Sequence, residues 1–348
     1  MSKAAELAAL IGSQTALSNR NMIINGAMAV DQRGQTTTAS GYTLDRWYYA
    51  GASYDELDVA ITQDTDSPSG FANSLKLNVT TAETTLAADE VAYFTQKIES
   101  QNLTHLNFGS SSAKSITLSF WVKSSLAGKY SLCLYRPNDN RSNTLSYTID
   151  SANTWEYKTI TYDGDTGGSN FLNDNTVGMW VFFMLSAGTD WSGTPHTGWG
   201  TYTPTDDLAH SDMVDFTAQT GTFYLTGVQL EVGETATPFE YRSYGDELAR
   251  CQRYFYASEF TSAWFTDAYL LTGSYAIQTV PFLVSMRTRP TVTADMSTNW
   301  VTANIYENFI IAFNNNHASW QIRATSNGRS YAYYNANDGA TVKFDAEL

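Results

Sequence analysis

The chain has 348 residues, enough for two domains with sizeable cores, and it is rich in aromatic residues (14%) and poor in charged ones (16%). Residues 241–348 hold nine acidic and eight basic side chains, so nearly the whole net charge of −15 falls on residues 1–240. A domain this acidic repels phosphate backbones, which argues against nucleic-acid binding. No apolar run approaches the roughly 20 residues of a membrane helix, so we expect no membrane insertion.

The first residues carry a short amphipathic pattern. Leu7, Leu10 and Ile11 fall on one side of a helix predicted over residues 2–11, and Gly12 can end it. Because a helix of about ten residues is only marginal in isolation, its apolar side needs a partner. Two interpretations stay open for residues 1–20: a frayed terminus, or an attachment segment that is ordered by other copies of the chain or by a larger assembly.

From Asn21 onward, short strands follow one another with turn residues between them. The clearest has Leu118 and Phe120 facing one way, with Ser119 and Trp121 facing the other. Aromatic and β-branched residues favour strands, and regular short strands without intervening helices indicate a β-sandwich. The patterns predict strands at Met22–Ile24, Arg46–Ala50, Val59–Gln63, Ser74–Val79, Tyr93–Ile98, Ser115–Lys123, Tyr130–Tyr135, Thr144–Ile149, Glu156–Tyr162, Gly178–Leu185 and Phe223–Val232.

The last of these strands contains a change of parity. Phe223 and Leu225 share one face. Leu230 belongs to an alternation that is shifted by one residue at Thr226-Gly227. Such a slip is what a β-bulge produces, and glycine tolerates the backbone that a bulge needs. We expect this strand to lie beside the first one, which would bring Ile23 and Leu230 into one core.

A short helix and a smaller β module complete the chain. Residues Asp246 to Tyr254 have the spacing of a helix with one apolar side, and Asn337-Asp-Gly339 is a strong hairpin signal. Cys133 and Cys251 fall in different predicted domains, and we expect both to be reduced and buried rather than joined. The module is predicted to contain strands at Tyr275–Val284, Thr291–Ala294, Phe309–Phe313, Trp320–Ala324, Tyr331–Asn335 and Thr341–Phe344.

Catalytic and metal-binding patterns are poorly represented. The sequence has no G-x-S-x-G elbow, no H-E-x-x-H and no P-loop, and its four histidines are expected at the surface or in turns. Asp163 and Asp165 begin a turn that resembles half of a calcium loop, but Gly167 stands where a further ligand is needed, so a plain β-turn is favoured. We therefore predict no enzymatic activity, no metal and no cofactor; a glycosidase whose carboxylates are distant in sequence stays an alternative.

The interval between Ser186 and Ala218 is too long for an ordinary connection, and long loops are often functional. It carries aromatic rings beside polar groups, the combination that binds sugars by stacking and hydrogen bonding. The alternative is that these aromatics fix the loop to the sandwich or contact a neighbouring chain. The predicted ligand-binding residues are Asp190, Trp191, His196, Trp199 and Tyr202, and a lesser candidate group is Trp320, Tyr333, Tyr334 and Asn335.

Three blocks of sequence resemble those of bacteriophage tail-fibre and related virion proteins. They are NMIINGAM with QRG and YTLDRW near residues 21–47, GVQLEVG with ATPFEYRS and ELARCQRYF near residues 227–255, and PF with MR and RPT near residues 281–291. The resemblance implies a jelly roll similar to carbohydrate-binding modules, followed by a small C-terminal module. It also implies a homotrimer in the virion, made in the host bacterial cytoplasm and in contact with other tail or capsid proteins.

These observations predict an all-β protein with a jelly-roll sandwich at residues 21–240, a linking helix at 241–257 and a second, smaller β domain at 258–348. The function that fits best is adhesion to a bacterial surface glycan or protein without catalysis, because weak sugar sites gain avidity when several are linked. The alternatives are a capsid decoration or tail structural protein without receptor binding, and a polysaccharide depolymerase.

Overall fold

The computed structural model describes residues 19–34, 36–37, 40–259, 265–294, 300–303, 305–312, 314–334 and 341–348. The predicted helix at 2–11 and the proposed attachment segment, up to residue 18, lie outside this range. Two compact units divide the chain between Glu247 and Leu248, with Leu348 assigned to the first unit. The expected domain boundaries at residues 240 and 257 stay a prediction.

The first unit is built almost entirely of strands, which confirms the predicted all-β class. It also contains helix α1 (Pro204–Asp207) and two 3-10 turns, Ser100–Asn102 and Thr104–Leu106. Its strands are β1 (Thr36–Thr37), β2 (Gly41–Tyr42), β3 (Tyr48–Ala52), β4 (Asp58–Asp64), β5 (Ser74–Thr81), β6 (Val91–Glu99), β7 (Ile116–Ser124), β8 (Gly128–Arg136), β9 (Arg141–Ile149), β10 (Glu156–Tyr162), β11 (Val177–Ala187), β12 (Ser192–Gly193), β13 (Gly200–Thr201), β14 (Ala209–His210) and β15 (Gly221–Val232).

Two antiparallel sheets form the jelly-roll sandwich of this unit. The six-stranded sheet has the order β1-β4-β5-β15-β7-β10, and the seven-stranded sheet has the order β13-β9-β8-β11-β6-β3-β2. Successive side chains of a strand point to opposite faces, so Leu118 and Phe120 of β7 meet Val181 and Phe183 of β11 in the core. The residues that alternate with them point to the two outer faces, where Phe182 and Met184 are buried in a second cluster and Trp121 is partly exposed.

The bulge predicted in β15 is confirmed. Thr226 pairs with Trp121, the next registered pair is Gln229 with Ser119, and Gly227 has a φ of 63°. This backbone region favours glycine because an L side chain there crowds the following carbonyl. The bulge lets both halves of β15 direct their apolar side chains into the same core.

The predicted strand Met22–Ile24 is wrong, although its expected position is right. Met22 N donates to Leu230 O at 2.8 Å, and Ile23 is buried in the same core as Leu230. The segment forms no regular strand because a side chain takes the place of a ladder partner: Ile24 N donates to Gln96 Oε1 at 2.8 Å. The chain then turns at Asn25, whose φ is 58°.

In the described residues of the second unit there are three three-stranded antiparallel sheets, with the orders β16-β24-β19, β17-β23-β20 and β18-β22-β21. The sequence patterns located most of these strands but missed β16, β17 and β20. Helix α2 (Tyr244–Gln252) begins in the first unit and is close to its predicted position. The strands are β16 (Phe255–Glu259), β17 (Phe265–Leu270), β18 (Tyr275–Pro281), β19 (Thr291–Ala294), β20 (Trp300–Ala303), β21 (Ile305–Ala312), β22 (His317–Ala324), β23 (Gly328–Tyr334) and β24 (Thr341–Asp345).

Two further expectations concern the cysteines and membranes. Cys133 and Cys251 are both buried, reduced thiols, as predicted, and burial raises the pKa of the Cys133 thiol to about 12. Among the residues that the structure describes, no helix has the length and apolar character needed to cross a membrane.

Candidate functional site

Some of the ligand-binding residues predicted in the loop at residues 186–218 pack on the outer face of the seven-stranded sheet. Trp191 and Tyr202 lie against a small hydrophobic cluster that includes Phe182, Met184 and Leu208. The indole N–H of Trp191 donates to the main-chain oxygen of Asp89 at 2.9 Å, and the ring of Tyr202 lies 4.5 Å from that of Tyr135 between centroids. Asp190 is exposed next to them. These rings hold the loop to the sheet.

The other two predicted residues, His196 and Trp199, lie against other parts of the first unit. His196 Nδ1 lies 2.7 Å from Asp207 Oδ1, and its Nε2 lies 3.2 Å from Ser142 O. Trp199 packs against the main core at 5.5 Å from the Phe108 ring, and its indole N–H donates to a carbonyl at 2.7 Å. The structure thus brings Trp191 and Tyr202 to one cluster and Trp199 to another. Ligand binding by this set stays a prediction.

The lesser candidate group is divided in the same way. Trp320 lies in β22, whereas Tyr333 and Tyr334 lie in β23, which belongs to a different three-stranded sheet. Asn335 and the side chains of the other three residues are outside what the structure describes.

A depression on the outer face of the six-stranded sheet is lined by aromatic residues that do not belong to the loop at residues 186–218. We call it the aromatic groove, and its volume is about 460 Å³. Every residue that lines it is uncharged. The lining consists of Ser69, Phe71, Ser119, Trp121, Tyr157, Gly227, Ala236, Thr237, Pro238, Phe239 and Tyr241.

A cross-strand pair of aromatic residues forms one side of the aromatic groove. Trp121 of β7 is registered directly opposite Tyr157 of β10, and their ring centroids are 5.3 Å apart. Residues opposite each other on antiparallel strands share one face of the sheet, so the two rings make a continuous surface. Tyr157 is 45% exposed. The pair therefore offers ring surface to solvent while its strands are fixed in the sheet.

The bulge in β15 lets rings approach the floor of the aromatic groove. A Cβ atom placed on Gly227 would lie 2.7 Å from the Phe71 ring and 3.0 Å from Trp121 Cδ1. Both distances are too short for carbon atoms in contact. Glycine at this position thus provides two things at once, the positive φ of the bulge and the space into which Phe71 and Trp121 extend.

The opposite wall of the aromatic groove is residues 236–241, held to β15 by buried polar side chains. Glu231 is 2% exposed, and its carboxylate accepts the N–H of Thr237 at 2.8 Å and the hydroxyl of Thr237 at 2.6 Å. Gln229 Oε1 accepts Glu240 N at 2.8 Å. Buried, hydrogen-bonded groups of this kind fix a segment in one position. The wall is therefore ordered without help from a ligand.

Charged groups flank the aromatic groove but are already paired. The Lys123 ammonium forms an ion pair with Asp66 and lies 4.3 Å from the Tyr224 ring centroid. The hydrogen bond from Lys123 lowers the pKa of Asp66, with a second contribution from the Trp155 indole N–H. The groove is therefore an uncharged aromatic surface beside neutralised charges, which suits a neutral ligand rich in hydroxyl groups.

Trp121 and Tyr157 were not among the ligand-binding residues predicted from the sequence, although their positions on the polar faces of their strands point to exposed aromatic rings. Trp121 stands on the polar face of the clearest alternation in the chain, where a large aromatic side chain has no core to fill. Tyr157 stands on the exposed face of its strand in the same way. What the sequence does not contain is the register that sets Trp121 beside Tyr157, since 30 or more residues separate them.

Comparison with known proteins gives similarity to solved structures only. No family model and no curated protein matches the chain. The structure is similar to the enzymatically active domain of tailspike protein 4 of Bacteriophage CBA120 (TM-score 0.33, 15% identity), covering 62% of this chain and 22% of that one. It is also similar to the module TmCBM61 in complex with β-1,4-galactotriose (TM-score 0.30, 8% identity, 62% of this chain and 100% of that one). A third similarity is to the family 11 carbohydrate-binding module of Clostridium thermocellum with a β-1,3-1,4-mixed-linked tetrasaccharide (TM-score 0.30, 13% identity, 59% and 98%).

Proposed function

We propose that this protein binds a glycan in the aromatic groove without chemically changing it. The observation that carries the proposal is the solvent-facing Trp121–Tyr157 pair in an uncharged, preformed groove. The C–H faces of pyranose rings stack on indole and phenol rings, and hydroxyl groups at the rim orient them. Ser69 and the exposed phenols of Tyr157 and Tyr241 supply such hydroxyl groups here.

We also propose that the protein works as a tail fibre or related virion adhesin at a bacterial surface, and that it is a homotrimer. The support is the resemblance of the three sequence blocks near residues 21–47, 227–255 and 281–291. A trimer presents three grooves, so modest affinity at each site gives high avidity for a repetitive surface. A monomer in light scattering of the full-length chain at high concentration would contradict the trimer.

A second function is favoured by one feature of the C-terminal unit. Large apolar side chains are exposed along residues 269–283, among them Tyr269 (78%), Leu283 (73%) and Ile277 (58%). Apolar surface of this extent commonly marks a contact with another protein. A structural role in the virion, without receptor binding, therefore stands as the alternative to adhesion.

The experiment that tests glycan binding compares two tryptophans on the same sheet face. Full-length protein, Trp121→Ala and Trp155→Ala are applied to an array of bacterial and synthetic oligosaccharides. Trp155 is a suitable control because it lies on this face but outside the aromatic groove, where its indole N–H donates to Asp66 Oδ1 at 3.0 Å. Circular dichroism checks that all three are folded.

We expect the wild type and Trp155→Ala to bind the same oligosaccharides, and Trp121→Ala to bind them at least about fivefold more weakly, the loss of roughly 1 kcal/mol of stacking. Incubation with the bound oligosaccharides should release no reducing ends. Binding to no oligosaccharide on the array would leave the structural role, and release of reducing ends would make the protein a depolymerase.

A further inference from the structure

A second depression lies on the other side of the rings that bound the aromatic groove. It shares Phe71, Phe239 and Tyr241 with the aromatic groove, and its volume is about 230 Å³. We call it the alanine pocket after its small residues. The lining consists of Ala27, Ala29, Gly70, Phe71, Ala72, Asn73, Phe239, Tyr241, Arg242, Tyr244 and Glu247.

The floor of the alanine pocket is apolar and small. Ala27, Ala29 and Ala72 offer methyl groups only, and Gly70 offers backbone, so this part of the surface cannot hydrogen-bond a ligand through side chains. A further sugar ring would leave its hydroxyl groups without side-chain partners on this floor, so the lining favours an apolar substituent. The walls are aromatic rings, whose faces make favourable contacts with methyl groups.

The charged residues at one end of the alanine pocket are occupied with one another and with the main chain. Arg242 Nη1 donates to Ile23 O at 3.0 Å, and the same guanidinium pairs with Glu240 and Glu247. Glu247 Oε1 also accepts Asn25 N at 2.5 Å. These contacts hold this end of the pocket in place without a ligand, and two carboxylates beside one guanidinium argue against an anionic occupant.

Asn73 is a polar residue of the alanine pocket whose side chain, unlike the charged side chains at one end, is not engaged by other groups in the described part of the protein. The side-chain amide of Asn73 has no hydrogen-bond partner within the described ranges, whereas its main-chain oxygen accepts Thr226 Oγ1 at 2.7 Å and so fixes the residue. An asparagine amide offers both a donor and an acceptor. The phenols of Tyr241 and Tyr244 lie nearby and are 62% and 60% exposed.

We propose that the alanine pocket binds the acetamido group of an N-acetylated sugar in the glycan that occupies the aromatic groove, an inference that rests on the proposed function. The acetyl methyl group matches the alanine floor, and the amide N–H and C=O match the acceptor and donor of Asn73. A 6-deoxy sugar supplies a methyl group but leaves the Asn73 amide without a partner, which is unfavourable once water is excluded. The protein therefore discriminates glycans by N-acetylation.

The test uses the full-length chain on an array that pairs N-acetylated oligosaccharides with the same oligosaccharides bearing hydroxyl groups or 6-deoxy groups. We expect N-acetylated members to bind about tenfold more tightly, the range for one small group in a shaped pocket. Neutral hydroxyl analogues are the right comparison, because de-N-acetylated amines are positively charged and this chain carries a net charge of −15.

Two variants with matched controls locate the effect. Ala72→Leu fills the pocket from an exposed position, and Ala88→Leu makes the same change at an exposed alanine elsewhere. Asn73→Ala removes the amide, and Asn78→Ala removes a half-buried amide of β5 outside the pocket. We expect Ala72→Leu and Asn73→Ala to abolish the preference for N-acetylated glycans while binding of the hydroxyl analogues is unchanged. Both control variants should behave as wild type.

The possible failures can be told apart. Binding that is weakened by Trp121→Ala but equal for N-acetylated and hydroxyl glycans would overturn the acetamido inference and leave the aromatic groove as a glycan site. A preference for 6-deoxy glycans, or a preference for N-acetylated glycans that survives in both Ala72→Leu and Asn73→Ala, would also overturn it. Binding to no glycan would overturn the inference and the proposed function together.

Discussion

The aromatic groove and the loop at residues 186–218 use the same kinds of residue in opposite ways. In the loop, the indole N–H groups of Trp191 and Trp199 both donate to main-chain carbonyls, and the rings lie against hydrophobic clusters. In the groove, Trp121 and Tyr157 stand on rigid strands with ring surface toward solvent. A long loop needs its aromatics as anchors, because otherwise ordering so many residues is too costly in entropy.

A binding surface is therefore easier to build on strands than on a long loop. The hydrogen bonds and cross-strand contacts of the sheet already order a strand. An aromatic ring on its outer face can therefore stay exposed without being needed to hold the chain in place. Four substitutions test this contrast between the aromatic groove and the loop, in decreasing order of expected effect.

The largest effect is expected at Asp165, which anchors the base of the loop. Its buried carboxylate accepts hydrogen bonds from Arg136, which is itself 2% exposed, and from Arg141, which also donates to Trp199 O at 3.2 Å. Asp165→Asn should lower the free energy of unfolding by about 3 kcal/mol, because the buried guanidinium of Arg136 then keeps only Asp139 as a countercharge. Denaturant unfolding measures the change, and a loss below about 1 kcal/mol would mean that the loop is anchored elsewhere.

The contribution of the Asp165 carboxyl group to the free energy of unfolding should depend on pH. Burial alone would raise the pKa of Asp165, but hydrogen bonds from Arg141, Gly167 N and Arg136 outweigh it and hold the pKa below its usual 3.8. The stabilisation is present above that unfolded-state value and is lost as the pH falls through the lower folded-state value. The stability difference between wild type and Asp165→Asn should therefore shrink below about pH 4, and a constant difference down to pH 2 would contradict this origin.

Trp199→Ala is next, and it separates the two regions most directly. Because Trp199 packs against the core, we expect a loss of about 2 kcal/mol in stability, less than for a fully buried tryptophan. Glycan binding by the folded fraction should be unchanged. If the variant is as stable as wild type but no longer binds, the loop is the binding platform and the aromatic groove is not.

Gly227→Ala should affect stability to a similar degree and should also weaken glycan binding. The positive φ costs of order 1–3 kcal/mol for a residue with a Cβ, and the added methyl group displaces Phe71 from the floor of the aromatic groove. Gly245→Ala is a control for a glycine with open space around it. Equal glycan binding by wild type and Gly227→Ala would show that the floor geometry is unimportant.

Tyr157→Phe should have the smallest effect. The ring surface next to Trp121 is retained, and only the phenolic hydroxyl is removed, so affinity should fall by no more than about 1 kcal/mol, a single neutral hydrogen bond. Tyr157→Ala in the same titration should cost more because it removes the ring. If both variants lose affinity equally, the hydroxyl and not the stacking surface is what the ligand contacts.

Much of the fold could be predicted because it is encoded in short-range patterns. The alternation in β7 located its strand within one residue, and the parity change located the bulge at Gly227. The prediction failed at Met22–Ile24, where Ile23 is buried as expected but the main-chain groups of Ile24 bond the side chain of Gln96, which is distant in sequence. Periodicity reports which side chains are buried; it does not report what their main-chain groups bond.

The sequence predicts the all-β class, most strands of the sandwich, the buried cysteines and the shared core of Ile23 and Leu230, because alternation and composition act over a few residues. It did not predict the short strands β1, β2 and β13, which pair at the edges of the two sheets. Which aromatic rings keep an exposed surface depends on the tertiary contacts. The register between β7 and β10 places Trp121 beside Tyr157, and Glu231 holds residues 236–241 against β15. Those contacts join residues far apart in the chain, and no local pattern specifies them.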